Sequence, residues 1–202
     1  ILDDMIKSVD QPVALIGVAE KGYLNLRLRV DAPGGHSSQP PPQSGLGVIS
    51  RAIVTLEENP FPATVEHIKN TFEGFAPYAS FRARFAMGNT WLFEPVIKAA
   101  LLKSPTSAAS MRTTTAATMA SGSSKSNILP TRTEAVVNFR IRPGETAESV
   151  RDRVIEIIDD ERVQVIMETN INPSPVSPTD SMGYELLAST IRGFDDNILV
   201  TP

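Results

Sequence analysis

Two histidines and no cysteine set the chemistry open to this 202-residue chain. His36 lies in Ala32-Pro33-Gly34-Gly35-His36-Ser37-Ser38, a glycine-hinged loop that directly follows a strand pattern. An imidazole on such a loop can donate a hydrogen bond to a developing oxyanion, and the glycines let the backbone turn sharply enough to aim it. Taken alone, the loop is accounted for at least as well by a polar turn that His36 caps or solvates. His67 sits beside Val65 and Ile68 in a helical stretch and reads as structural.

Composition narrows the partners. With 41% hydrophobic residues the chain can bury a core, as one domain or one and a half. A formal charge of -4 with scattered basic residues argues against nucleic acid as a partner. No apolar run in this segment is long enough to span a bilayer. Ile1-Leu2-Asp3-Asp4 is neither a Met start nor a signal peptide, so the segment reads as a piece of something longer. The absence of cysteine excludes disulfides and thiolate metal sites and permits any compartment; the cytoplasm is the default expectation.

The elements that must position His36 follow from periodicity. Pro12 to Val18 is a continuous apolar run of strand length, the pattern of a strand covered on both faces. Tyr23 to Val30 alternates instead, with Leu24, Leu26, Leu28 and Val30 on one side, as a half-buried strand does. Glu20-Lys21-Gly22 between them reads as a hinge and marks a domain boundary. After Pro40-Pro41-Pro42 a helix is expected from about Gly45 to Glu57, with Leu46, Ile49, Ile53 and Leu56 inward. Asn59-Pro60-Phe61-Pro62 ends it. A broken helical insertion at about 60–108 collects Phe72, Phe75, Phe81, Phe85, Trp91 and Phe93, an aromatic set that reads as core packed on itself or on a partner.

Ser110 to Ala120 is threonine-rich and reads as a strand. A polar turn through Ser126-Asn127-Ile128-Leu129-Pro130 leads to a strand at Thr133 to Arg142, with Val137, Phe139 and Ile141 on one face and Asn138, Arg140 and Arg142 on the other. Thr146 caps a helix with Val150, Val154, Ile157 and Ile158 inward. A last alternating strand spans Arg162 to Glu168. The order from Gly22 to Thr169 predicts an α+β, ferredoxin-like split βαβ domain: a four-stranded antiparallel sheet with two helices on one face and the other face open. Tyr184, Leu187 and Ile191 sketch a further helix, and Asn197 to Val200 a buried-type strand. The expected division is a remnant strand and hinge at 1–21, the sheet domain with its insertion at 22–179, and a return into the first domain at 180–202.

Gly-Gly-His-Ser-Ser at 34–38, Ser-Asn-Ile-Leu-Pro at 126–130 and Asn-Phe-Arg-Ile-Arg-Pro-Gly at 138–144 resemble three signatures of the lid, or dimerisation, domain in the zinc metallopeptidase family of carboxypeptidase S, aminoacylase and succinyl-diaminopimelate desuccinylase. The Val13 to Gly22 lead-in and the aromatic insertion are most similar to the carboxypeptidase S branch. The resemblance implies a homodimer built through the lid, and an amide hydrolase acting on small N-acyl amino acids or peptides. It implies that His36 reaches across the dimer as the catalytic oxyanion donor, that Asn127 bonds substrate, and that Arg140 receives the substrate carboxylate. A guanidinium fork suits that last task. The activity it implies uses two zinc ions held by a catalytic domain. This chain lacks the His-x-Asp, acidic-bridge and further His ligands, and is expected to bind no zinc and to be inactive alone. Glu57-Glu58, the only adjacent glutamates, close an amphipathic helix and read as solvated. Two other readings stay open: a purely structural dimerisation module, and a free-standing ligand-binding module of the same fold.

Overall fold

The computed structural model describes residues 11–202 in two compact units. One unit comprises residues 21–62 and 113–174. The other comprises residues up to 20, 63–112 and 175–202. No helix among the described residues is long and apolar enough to cross a membrane.

In chain order, β1 is Val13–Leu15, β2 Gly22–Asp31, β3 Gly35–His36, α1 Gly45–Glu58, α2 Lys69–Phe75, α3 Phe81–Gly88, α4 Thr90–Leu101 and α5 Pro105–Met111. Then come β4 Thr114–Ser121, β5 Ile128–Leu129, β6 Arg132–Ile141, α6 Ala147–Ile158, β7 Gln164–Ile171, α7 Met182–Arg192 and β8 Leu199–Thr201.

The first unit is the split βαβ sheet expected from the alternation. Its strands run β4-β6-β2-β7, each antiparallel to its neighbour. Leu24, Leu26, Leu28 and Val30 of β2 are buried beside Ala135, Val137, Phe139 and Ile141 of β6. Helix α1 covers them with Val48, Ile49, Ala52 and Leu56, and α6 with Ala147, Val150 and Val154. Phe61 meets Phe139 edge to face at 6.0 Å. Leu46, expected inward, is 48% exposed. It lies one residue, about 100°, past Gly45, and Gly45 is the residue the helix presses against Thr133. Thr146 caps α6 in a capping box with Ser149.

Strand boundaries moved where turn chemistry outweighed composition. Ser104 and Pro105 start α5, which runs to the buried Met111, so the threonine-rich strand begins at Thr114. The last sheet strand runs Gln164–Ile171, two residues later than its alternation suggested at the start.

In the second unit β1 pairs parallel with β8, Val13 opposite Leu199 and Leu15 opposite Thr201. Alternation divides the faces. Ala14, Ile198 and Val200 pack on Ala188 of α7, whereas Val13 and Leu199 pack on Phe75 of α2. β1 is shorter than the apolar run at 12–18, and Leu15 is exposed. Of the aromatic set expected as core, Phe75 is buried and Phe72 and Phe93 are half-buried, whereas Phe81, Phe85 and Trp91 are exposed. The set does pack on itself in part, Phe85 meeting Phe81 at 6.4 Å and Phe93 at 5.7 Å. The helices there span only 7 to 12 residues, and two three-residue strands are too small to cover them. The side chain of His67 lies outside the described residues, as do residues 1–10.

Candidate functional site

The glycine loop forms a small hairpin with the polar turn some ninety residues on. Gly35 pairs with Leu129 and His36 with Ile128, and the Ser37 N–H donates to the Asn127 carbonyl at 3.0 Å. Gly34 is required where it stands, because a Cβ there would lie 2.7 Å from Cγ2 of Thr131. The hairpin extends from the end of the central strand pair, where the Ala32 N–H donates to the Thr131 carbonyl at 3.0 Å. His36 and Asn127 therefore share one exposed structure at one end of the sheet.

Local bonding sets the imidazole's role. The backbone N–H of Ser38 donates to His36 Nδ1 at 3.2 Å, and Ser38 Oγ lies 2.9 Å from the same nitrogen. With Nδ1 accepting, the neutral ring carries its proton on Nε2 and can donate through it. The Asn127 amide side chain is exposed.

Arg140 sits elsewhere. It lies eight residues along β6 from Arg132, roughly 26 Å at about 3.3 Å per residue, opposite Tyr23. Its guanidinium carbon lies over the Tyr23 ring on the open sheet face, 4.9 Å from the centroid, within cation–π range. Other arginines on that face are paired: Arg27 bridges Glu134 at 2.7 Å and Glu168 at 2.6 Å. Arg140 makes no ion pair among the described residues. The Lys21 amine is close by in charge terms. Burial lowers its pKa, Glu145 opposes that, and Arg140 and Arg142 lower it further. Arg142 is engaged with Glu145, its Nε donating at 3.1 Å. That end of the sheet gathers Lys21, Arg140 and Arg142 around Glu145, with the Arg140 guanidinium over an aromatic ring.

The structure thus brings His36 and Asn127 together and sets Arg140 at the far end of a ten-residue strand. Sequence reasoning missed Ser38, Tyr23 and Lys21. Ser38 is signalled by its place two residues after His36, where a backbone N–H can reach back to the ring. Tyr23 is signalled as the polar-face residue that β2 presents across from Arg140. Among the described residues no three His, Cys, Asp or Glu side chains converge, so the donor set does not fit a zinc pair.

Comparison with known proteins agrees with the fold. The peptidase dimerisation domain family matches residues 18–165. The human N-fatty-acyl-amino acid synthase/hydrolase PM20D1 is 37% identical over the whole chain, which covers 41% of that relative. Probable carboxypeptidase S-like 2 of Dictyostelium discoideum is 36% identical, with 39% of its length covered. The chain spans about two fifths of the length of these curated relatives. Among solved structures, the M20 family metallo-carboxypeptidase Sso-CP2 from Sulfolobus solfataricus superposes with a TM-score of 0.57 at 17% identity, over 96% of this chain and 53% of that one. Human carnosine dipeptidase 1 gives 0.56 at 12% identity, over 96% and 45%.

Proposed function

Because the chain belongs to the dimerisation domain family of the M20 peptidases, we propose that it is the lid of a metal-dependent amide hydrolase and completes the active site of a partner chain in a homodimer. In this reading the sheet unit is the lid, and the segments up to 20 and from 175 run into the catalytic domain. The substrates are N-acyl amino acids or short peptides.

The observation that carries the proposal is the separation of His36 and Asn127 from Arg140 along β6. No small substrate touches both ends of one sheet, whereas an isologous dimer can bring the hairpin end of one chain to the Arg140 end of the other. His36 then donates its Nε2 proton to the carbonyl oxygen as negative charge develops there. Asn127 bonds the acyl or amide group and fixes its orientation. Arg140, preset by Tyr23, receives the α-carboxylate with two parallel N–H donors. The zinc pair implied by the family resemblance finds no ligand set among the described residues, and the roles of His36, Asn127 and Arg140 do not pass through it.

The test is complementation in the full-length protein. His36→Ala and Arg140→Ala are each expected to be nearly inactive. Mixed as subunits in equal amounts, they should recover about a quarter of the wild-type rate, because half the dimers carry one intact composite site. No recovery from demonstrated mixed dimers would mean that both residues serve a site within one chain, or none.

A further inference from the structure

Two asparagines face each other in the middle of the sheet, a setting in which asparagine is disfavoured: Asn25 of β2 is paired with Asn138 of β6. Asn138 Nδ2 donates to Asn25 Oδ1 at 2.9 Å and to the Leu24 carbonyl at 3.4 Å. Those bonds use only the amine of Asn138 and the oxygen of Asn25. Asn25 Nδ2, a donor, and Asn138 Oδ1, an acceptor, make no hydrogen bond among the described residues, and neither is shut off from solvent. We infer that this pair is the subsite for the second amide of a peptide substrate, Asn25 donating to its carbonyl oxygen and Asn138 accepting from its N–H. The inference rests on the hydrolase reading above, with the α-carboxylate on Arg140, and narrows its substrates to N-acyl dipeptides and short peptides.

Register gives the spacing. Tyr23 is opposite Arg140 and Asn25 opposite Asn138, so the amide pair lies two residues from Arg140, about 6.8 Å at about 3.4 Å per residue. Alternation puts both pairs on one face, away from the buried Leu24 and Phe139. An extended peptide advances about 3.3–3.6 Å per residue. A carboxylate held by Arg140 therefore sets the first amide, the one to be cut, between the two pairs and the second amide over the asparagines. The direction follows from the strand ends. β2 begins at Gly22 and β6 ends at Ile141, one residue beyond the Tyr23–Arg140 pair, so only the Asn25 side offers sheet to lie on. The subsite is one amide long: in the next pair Val136 has no polar side chain, and Arg27 is already bridged to Glu134 at 2.7 Å and Glu168 at 2.6 Å.

The test uses the full-length protein with its native metals and three leucine derivatives of equal length. N-Acetylglycyl-leucine carries the whole second amide, 4-oxopentanoyl-leucine has a methylene in place of its N–H, and pentanoyl-leucine lacks its carbonyl as well. All three keep the same scissile amide. In the wild type kcat/KM should fall about three- to tenfold at each replacement, although each makes the compound more apolar. Asn138→Ala should abolish the first of these steps and Asn25→Ala the second, with the folding of each variant checked by circular dichroism and melting temperature. Equal kcat/KM for the three compounds in the wild type, a comparison that needs no variant, would overturn the inference, as would steps that persist unchanged in both folded variants. Either result leaves the hydrolase reading standing. Hydrolysis of none of the three would overturn both.

Discussion

Gly22→Ala tests the close packing that seats β2 at its first residue. A Cβ at Gly22 would lie 2.6 Å from the Ile171 carbonyl oxygen and 2.8 Å from both N and Cδ of Pro173. Two of these atoms are backbone and the third belongs to a rigid ring, so none can swing away. Gly22 does not have a positive φ, so alanine carries no backbone strain and the penalty is steric. Overpacking of this kind costs about 1–3 kcal/mol, and parting β2 from β7 near Tyr23 and Ile171 forfeits a ladder hydrogen bond worth about 1 kcal/mol. Alanine's lower unfolded-chain entropy returns about 0.4–1 kcal/mol. The net expectation is destabilisation by about 2 kcal/mol, or a melting temperature lower by about 4–8 °C for a chain of this size. Urea unfolding of wild type, Gly22→Ala and Gly17→Ala checks it, since a Cβ at Gly17 meets nothing within 4 Å. Equal stability of the two alanine variants would refute the steric argument.

Two further outcomes follow from polar contacts. Thr113 is buried at 1% exposure, donates to Glu145 and accepts from the Arg142 N–H at 2.9 Å. Thr113→Val keeps the shape and removes both bonds, and should destabilise by about 2 kcal/mol in urea unfolding, while Thr113→Ser should lose less than half of that. The Asp160 carboxyl is lowered from 3.8 to about 2, chiefly by its bonds to the Arg162 side chain. Its folded pKa lies below its unfolded one, so the stabilisation is full above pH ~4 and is lost as pH falls toward 2. Because the pair is solvent-screened, the loss should be no more than about 0.5–1 kcal/mol. Asp160→Asn should flatten that part of the stability profile, and an unchanged slope between pH 4 and 2 would count against the pairing.

The sheet was legible because one face is buried. Leu24, Leu26, Leu28 and Val30 alternate strictly, and Val137, Phe139 and Ile141 repeat the signal, so both central strands and their inward faces could be read directly. The helices were legible in extent but less so in rotation. Gly45, which has no side chain to register in a hydrophobic pattern, sets the angle of α1 and turns Leu46 outward. In the aromatic set Phe81, Phe85 and Trp91 misled, because helical spacing reports a face without reporting how deeply each residue on it is covered. At the site, the residue types of His36, Asn127 and Arg140 could be read, but their arrangement could not. A two-residue pairing across some ninety residues leaves no periodic trace, and the length of β6 separating Arg140 from the hairpin becomes meaningful only once the register with β2 is known. Ser38's backbone bond to His36 Nδ1 is invisible in side-chain composition altogether.

The central claim is that His36 acts on the reacting carbonyl. The direct measurement is kcat for hydrolysis of N-acyl amino acids by the full-length protein, wild type against His36→Ala, at matched metal content and matched dimer population. Loss of an oxyanion donor predicts a fall in kcat of about a hundredfold or more with metals and dimer intact. An unchanged kcat would contradict the account and leave this chain a structural dimeriser.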